Sequence, residues 1–217
     1  MASSIPKSIS ADSAGNDEPA NRRSRLKSDR RSQLLAAAER LFAQGGYPAV
    51  RLEDIGAAAG VSGPAIYRHF AGKEALLVEL LVGISTRLLA GARAVEAAGQ
   101  SPQDVLDGLV DFHLDFALGE PDLIRIQDRD LAHLPAAAQR QVRSAQRQYV
   151  EVWVSVLRAL QPGLAETDAR LMAHAAFGLL NSTPHSMKPT GAKSTGPERS
   201  RAVLRAMTIS ALGAAGI

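Results

Sequence analysis

Between Leu52 and Lys73 the chain reads LEDIGAAAGVSGPAIYRHFAGK, a string that accommodates two short helices joined by a tight turn and little else. Leu52, Ile55 and Ala59 recur at helical spacing, and Glu53 and Asp54 place negative charge in the first turn, where the helix dipole favours it. Gly60 ends this helix, because glycine takes the left-handed conformation that closes one, and Val61 is the apolar residue expected to pin the turn to a core. Ser62 then opens a second helix as an N-cap, with Pro64 in the first turn, where a missing N–H costs nothing. Ile66 and Phe70, four apart, face inward and leave Ala65, Tyr67, Arg68 and His69 outward. Two helices so joined are the minimum that carries a helix into a DNA major groove.

Helical spacing runs through the rest of the chain. Leu34, Leu35, Ala38, Leu41 and Phe42 form the buried stripe of a helix from about Arg30 to Gln44, ended by Gly45-Gly46. Downstream, the spacing predicts helices over Lys73–Ala98, Pro102–Leu118 with Ser101 as N-cap, Pro121–Asp130, Pro135–Leu160, Thr167–Asn181 and Pro197–Ala214. No segment alternates as a strand does, so the fold class is all-α. Its expected organisation is a disordered tail over 1–24, a three-helix helix-turn-helix domain over 25–77, and a helical ligand-binding and dimerisation domain over 78–217. The tail carries almost no large apolar side chains to bury. Thr183–Gly196, rich in Pro, Gly, Ser, Thr and Lys, reads as a loop.

Charge is sorted along the chain although the net value is only +3. Residues 21–73 hold ten Lys or Arg against four Asp or Glu, residues 1–20 hold one against three, and the remainder is nearly balanced. The positive segment coincides with the helix-turn-helix, the footprint expected of phosphate binding with counterion release. The run Arg22, Arg23, Arg25, Lys27, Arg30 and Arg31 serves either as an arm along DNA or as a solvated flank. Cysteine is absent, which removes disulfides, thiol nucleophiles and thiolate metal sites, and no apolar leader or spanning run stands out. A soluble cytoplasmic protein with no membrane partner is expected.

Five strings in order sharpen this reading: Gly45-Gly46-Tyr47, Asp54-Ile55, Ala59-Gly60-Val61-Ser62, Tyr67-Arg68-His69-Phe70 and Lys73-Glu74-Ala75-Leu76-Leu77. From Arg30 to Leu77 the chain resembles the TetR family of one-component transcriptional regulators. The resemblance implies a homodimeric repressor on a palindromic double-stranded DNA operator, modulated by a small molecule. It also implies DNA contacts along the second motif helix, at Ser62, Gly63, Pro64, Ala65, Tyr67, Arg68 and His69. Tyr67, His69 and Lys73 would meet phosphates, and Gly63, Pro64, Ala65 and Arg68 would read bases. One departure stands at Val50-Arg51, where family members usually carry two hydroxyl residues; Arg51 can replace a phosphate contact by charge, but it has no acceptor with which to cap a helix.

In the C-terminal half the expected effector is hydrophobic or acyl-type, an acyl-CoA being the first chemistry to consider. Candidate lining residues are Leu106, Val110, His113 and Phe116, then Leu123 and Ile126, then Tyr149, Trp153 and Phe177. Apolar spacing alone does not separate pocket wall from core. The charged run Arg125–Asp130 could hold a polar head or gate a pocket, and pairing on a wet surface is the favoured reading. Asp104, Asp107, Asp111 and Asp115 mark a wet helix face. His113, His133, His174 and His185 show no metal-ligand spacing, and no nucleophile elbow or phosphate loop is present, so neither metal nor catalytic residues are expected. Leu171, Ala175, Leu179, Val203, Leu204, Met207, Ile209 and Leu212 suggest a two-fold four-helix interface. The rival reading is a ligand-binding helical protein or enzyme in which the helix-turn-helix is only structural.

Overall fold

The structure, a computed structural model, describes residues 18–182 and 196–213. All regular elements among them are helical: α1 (Glu18–Gly45), α2 (Leu52–Ala58), α3 (Gly63–Ile66), α4 (Lys73–Ala98), α5 (Pro102–Gly119), α6 (Pro121–Asp130), α7 (Ala136–Leu160), α8 (Glu166–Leu180) and α9 (Pro197–Gly213), with one 3-10 turn at Leu131–His133. Most bounds fall within a residue or so of the sequence expectation. The exceptions are α1, which starts at Glu18 and so makes residues 18–24 helical where disorder was expected, and α3, which ends at Ile66 and leaves Tyr67, Arg68 and His69 in the turn that follows, where the second motif helix was expected to run on. Glu18 and Pro19 suit a first turn, and the basic run that follows consists largely of good helix formers. Residues 1–17 of the expected tail and 183–195 of the expected loop lie outside the described residues.

The turn after α2 is closed by backbone hydrogen bonds. Gly60 has φ +65°; its N–H donates to the Ala57 carbonyl at 3.1 Å, and the Val61 N–H reaches the Gly56 carbonyl at 2.8 Å. These are the two bonds of a Schellman cap, so the turn angle is held by carbonyls that would otherwise be orphaned.

Two cores are stacked along α4. In the first, Leu34, Ala38 and Phe42 of α1 meet Ile55, Ile66, Phe70 and Leu76–Leu77, but Leu81 and Ile84, Leu123 and Ile126 of α6, and Leu134, Ala138 and Val142 belong to the same cluster. A domain edge at residue 77 therefore cuts through one continuous core. The second core gathers Leu109, Val110 and Leu114 of α5, Trp153 and Leu157 of α7, Ala169, Ala173 and Leu180 of α8, and Leu212 of α9. α4 packs most extensively on α7. By length and composition alone α4 could cross a membrane, contrary to the sequence expectation; here Leu76, Leu77, Leu81, Ile84 and Ala92 spend that apolarity inside the two cores.

The acidic stripe of α5 has a second job besides facing water. Ser101 caps α5 by accepting the Asp104 N–H at 3.2 Å, while Asp107, Asp111 and Asp115 pair with Arg201 and Arg205 of α9, Asp111 at 3.2 and 3.1 Å. Each pair is partly exposed and individually weak. Together they fix α9 against α5.

Candidate nucleic-acid interface and ligand cavity

The second motif helix is presented outward by an apolar anchor. Ile66 and Phe70 are buried in the first core, while Tyr67 is 61% exposed, Ser62, Pro64 and Arg68 are exposed, and Ala65 and His69 are half-buried. The helix can sit this close to α2 because residue 56 is glycine: a Cβ there would come within 2.4 Å of Ile66 Cδ1 and 2.9 Å of the Val61 carbonyl. Periodicity could not reveal that close approach. Ser62 has the extended N-cap backbone but makes no side-chain capping bond, so its hydroxyl does not do the capping expected of it. Arg51 precedes α2 with no acceptor of its own. Instead its N–H donates to Asp54 Oδ2 at 3.1 Å, half of a capping box supplied from inside the helix.

Several of the basic residues are tied to the protein itself. Lys73 Nζ donates to the carbonyls of Tyr47 at 2.9 Å, Val50 at 3.0 Å and Pro48 at 3.3 Å, and stands 4.5 Å from the centre of the Tyr47 ring. Its three donors thus close the loop that leads into α2. Arg31 lies over the Phe70 ring at 4.5 Å and pairs bidentately with Glu79 of α4. Arg22, Arg25, Lys27 and Arg30 are exposed along the first turns of α1.

The charged run at the end of α6 divides. Arg125 pairs with Asp122 near the surface, whereas Arg129 and Asp130 cross to the helix-turn-helix half, which corrects the wet-surface expectation for these two. Arg129 donates to the Phe42 carbonyl and, at 3.4 Å, to the Ala43 carbonyl, capping the C-terminus of α1 from another helix. Asp130 is fully buried, accepts the Tyr47 N–H at 3.2 Å and pairs with Arg129 at 3.1 Å. Tyr47 also stacks on His133 at 5.3 Å.

Behind this clasp lies a cavity of about 270 Å³ among α4, α5, α6, α7 and α8. Four of the nine candidates line it: His113, Phe116, Tyr149 and Phe177. Leu106, Val110 and Trp153 are instead second-core residues, and Leu123 and Ile126 belong to the first core. The face of α6 that meets the cavity carries Ile124 and Gln127. Spacing identifies a buried stripe but cannot say whether a core or a cavity lies opposite, which is why these two were missed, together with Leu88, Gln146 and Asn181.

His113 organises the polar end. Its Nε2 is 2.9 Å from Asn181 Oδ1, which can only accept, so Nε2 carries the proton and Nδ1 accepts the Tyr149 hydroxyl proton at 2.9 Å. Burial pushes the His113 pKa down to about 4, partly offset by the bond to Asn181, so the ring is neutral near pH 7. Burial likewise raises the Tyr149 pKa well above its ordinary value. Phe177 stacks on His113 at 5.3 Å and meets Trp153 edge-on at 5.0 Å. Among the described residues no Lys, Arg, Asp or Glu lines the cavity, and His174 joins His113 in its wall. Among the described residues no group of three His, Asp or Glu is placed to hold a metal ion.

On the outer faces of α8 and α9, Leu171, Val203 and Met207 are exposed and Ala175 with them. The other interface candidates do not all join them: Leu212 is buried, and Leu204 and Ile209 pack on the second core.

Residues 34–80 match the family model for bacterial regulatory proteins of the tetR family, and residues 99–204 match that for the tetracyclin repressor-like C-terminal domain. The HTH-type transcriptional repressor KstR2 of Mycobacterium tuberculosis is 33% identical over 145 residues, covering 64% of this chain and 70% of its own. The chain spans about two thirds of the length of the curated relatives it matches. Among solved structures, the ketosteroid transcriptional regulator KstR2 of Mycobacterium tuberculosis superposes with TM-score 0.73 at 24% identity, over 85% of this chain and 94% of that one. AibR in complex with isovaleryl coenzyme A and operator DNA gives TM-score 0.68 at 18% identity, over 82% and 97%. At these identities the structural likeness speaks for the fold alone.

Proposed function

This chain belongs to the TetR family of bacterial regulatory proteins, and from that premise we propose that it is a homodimeric transcriptional repressor whose hold on its operator is set by a small molecule in the α4–α8 cavity. It has no catalytic role in this reading and works in the cytoplasm, where its DNA lies. Tyr67 and Arg68 present the outward face to the groove, Ser62, Pro64, Ala65 and His69 flank them, and Arg51 adds charge at the edge. Two copies joined through α8 and α9 place two such helices on one face of the duplex, which a palindrome requires for genomic selectivity.

The observation that carries the regulatory part is that α6 serves both sites. Within ten residues it lines the cavity with Ile124 and Gln127 and grips the end of α1 with Arg129 and Asp130. An effector that favours one placement of α6 must shift the balance between two placements of α1, by no more than its difference in affinity for the two.

The test is fluorescence anisotropy of the purified chain on a fragment from its own promoter region and on random DNA, over a salt series. Specific affinity should exceed random affinity and fall steeply with salt. Tyr67→Ala and Arg68→Ala should each lose about 1–3 kcal/mol of specific binding with the dimer intact. Absence of DNA binding at low salt overturns the reading.

A further inference from the structure

The chemistry of the cavity wall narrows its occupant. About 270 Å³ lies just below the usual range of small-molecule sites, and at roughly 30 Å³ per water-sized group the part of a ligand held there is on the order of ten non-hydrogen atoms. Phe116, Phe177, Ile124 and Val150 make an apolar wall in which the Phe177 ring is held by stacking on His113 and by an edge-on contact with Trp153. Flat, rigid walls of this kind favour a ring over a flexible chain, which would lose rotamer freedom on entry. Among the described lining residues there is no Lys or Arg, and His113 is neutral, so a carboxylate or phosphate placed beside it, away from the exposed His174, would be desolvated without a counter-charge.

The polar end has a direction. Because the Tyr149 proton is committed to His113 Nδ1, and the remaining ring proton to Asn181 Oδ1, the Tyr149 oxygen is left as an acceptor only. A ligand carbonyl or ether oxygen would meet lone pair against lone pair, whereas a hydroxyl would complete the chain ligand, Tyr149, His113, Asn181 with every proton pointing one way. We propose that the cavity takes an uncharged ring compound of about ten non-hydrogen atoms whose hydroxyl donates its proton to Tyr149 Oη. This rests on the cavity being the effector site proposed above. An acyl-CoA could place only its acyl end there, leaving its phosphates without a Lys or Arg among the described lining residues.

Trp153 is the sole tryptophan and touches Phe177, a cavity residue, so its emission reports occupancy directly. Four non-fluorescent probes are titrated into the full chain: decahydro-2-naphthol, its methyl ether, decahydro-2-naphthoate and isovaleryl-CoA. The alcohol should shift Trp153 emission saturably, the ether should bind about tenfold more weakly or worse, and the two anions more weakly still. In Tyr149→Phe the alcohol should lose its advantage over the ether. The wild-type order stands as a test even if that variant fails to fold. Equal binding of alcohol and ether, tighter binding of either anion, or no binding of any probe overturns the ligand class. Anisotropy on promoter DNA in the same preparation separates the two levels: DNA bound with no probe taken removes the ligand class and leaves the regulator, while no DNA binding at low salt removes the regulator on which it rests.

Discussion

Asp130, fully buried at the end of α6, accepts the backbone N–H of Tyr47 at 3.2 Å across 83 residues of sequence. The same carboxylate pairs with Arg129, whose guanidinium caps the carbonyls that end α1. A buried carboxylate is stable here because a donor and a cation both face it. Asp130→Ala leaves Arg129 without its charge partner and the Tyr47 N–H without an acceptor, and should cost about 3 kcal/mol of unfolding free energy. Asp130→Asn keeps an acceptor for Tyr47 and should lose roughly half of that. Urea denaturation measures both, and equal losses would show that the N–H bond contributes nothing.

Lys73 offers a clean choice between two roles. With its three donors on the carbonyls of Tyr47, Pro48 and Val50, it should act as a staple for the loop before α2. Lys73→Met should then destabilise the chain by about 2 kcal/mol, the scale of hydrogen bonds from a charged donor, and weaken DNA binding equally at all salt concentrations. A lysine on a phosphate would give the opposite signature, with stability kept and the salt slope reduced by about one. Thermal melts and a salt titration on the same variant decide it.

What was legible in the sequence was local. Gly60, Pro64, Pro102 and Pro121 act within a turn of their own position, and α5 and α6 accordingly begin at Pro102 and Pro121. The inward pair Ile66 and Phe70 was equally readable, since one face of a helix is a matter of spacing. Gly56 against Ile66, Asp130 against Tyr47 and Asp111 against Arg201 are long-range or purely steric, and leave no periodic trace. The cavity suffers most from this: Ile126 and Ile124 stand two residues apart on one helix, and only the fold decides that the first meets the core and the second the cavity.

His113 gives the protein an acid limit. Its pKa falls from an ordinary 6.5 to about 4 in the folded chain, so between those values the unfolded state binds more protons. Stability therefore rises with pH across that window and is complete above it. Acidification through the whole window should cost about 3 kcal/mol from this group. Denaturant midpoints at pH 5 and pH 7.5 should differ in the native chain and converge in His113→Gln, once the carboxylate contributions common to both are subtracted. An unchanged pH dependence in that variant would mean that His113 is not buried as described.

Met207 tests how the two DNA-reading helices are joined. It is 53% exposed on α9 beside Val203, with Leu171 exposed on α8, while their neighbours Leu204 and Leu212 pack inward. Apolar residues displayed together on two adjacent helices are what a self-complementary interface needs, and a charge placed among them must be desolvated twice, once from each copy. Met207→Glu should leave the helical content and the Trp153 environment unchanged, because the side chain is exposed, yet turn the dimer into monomers in sedimentation velocity. Operator affinity should fall at least a hundredfold in step, since a single recognition helix keeps the phosphate contacts of one half-site and loses the other. A variant that stays dimeric with native affinity would place the interface elsewhere on the helical domain.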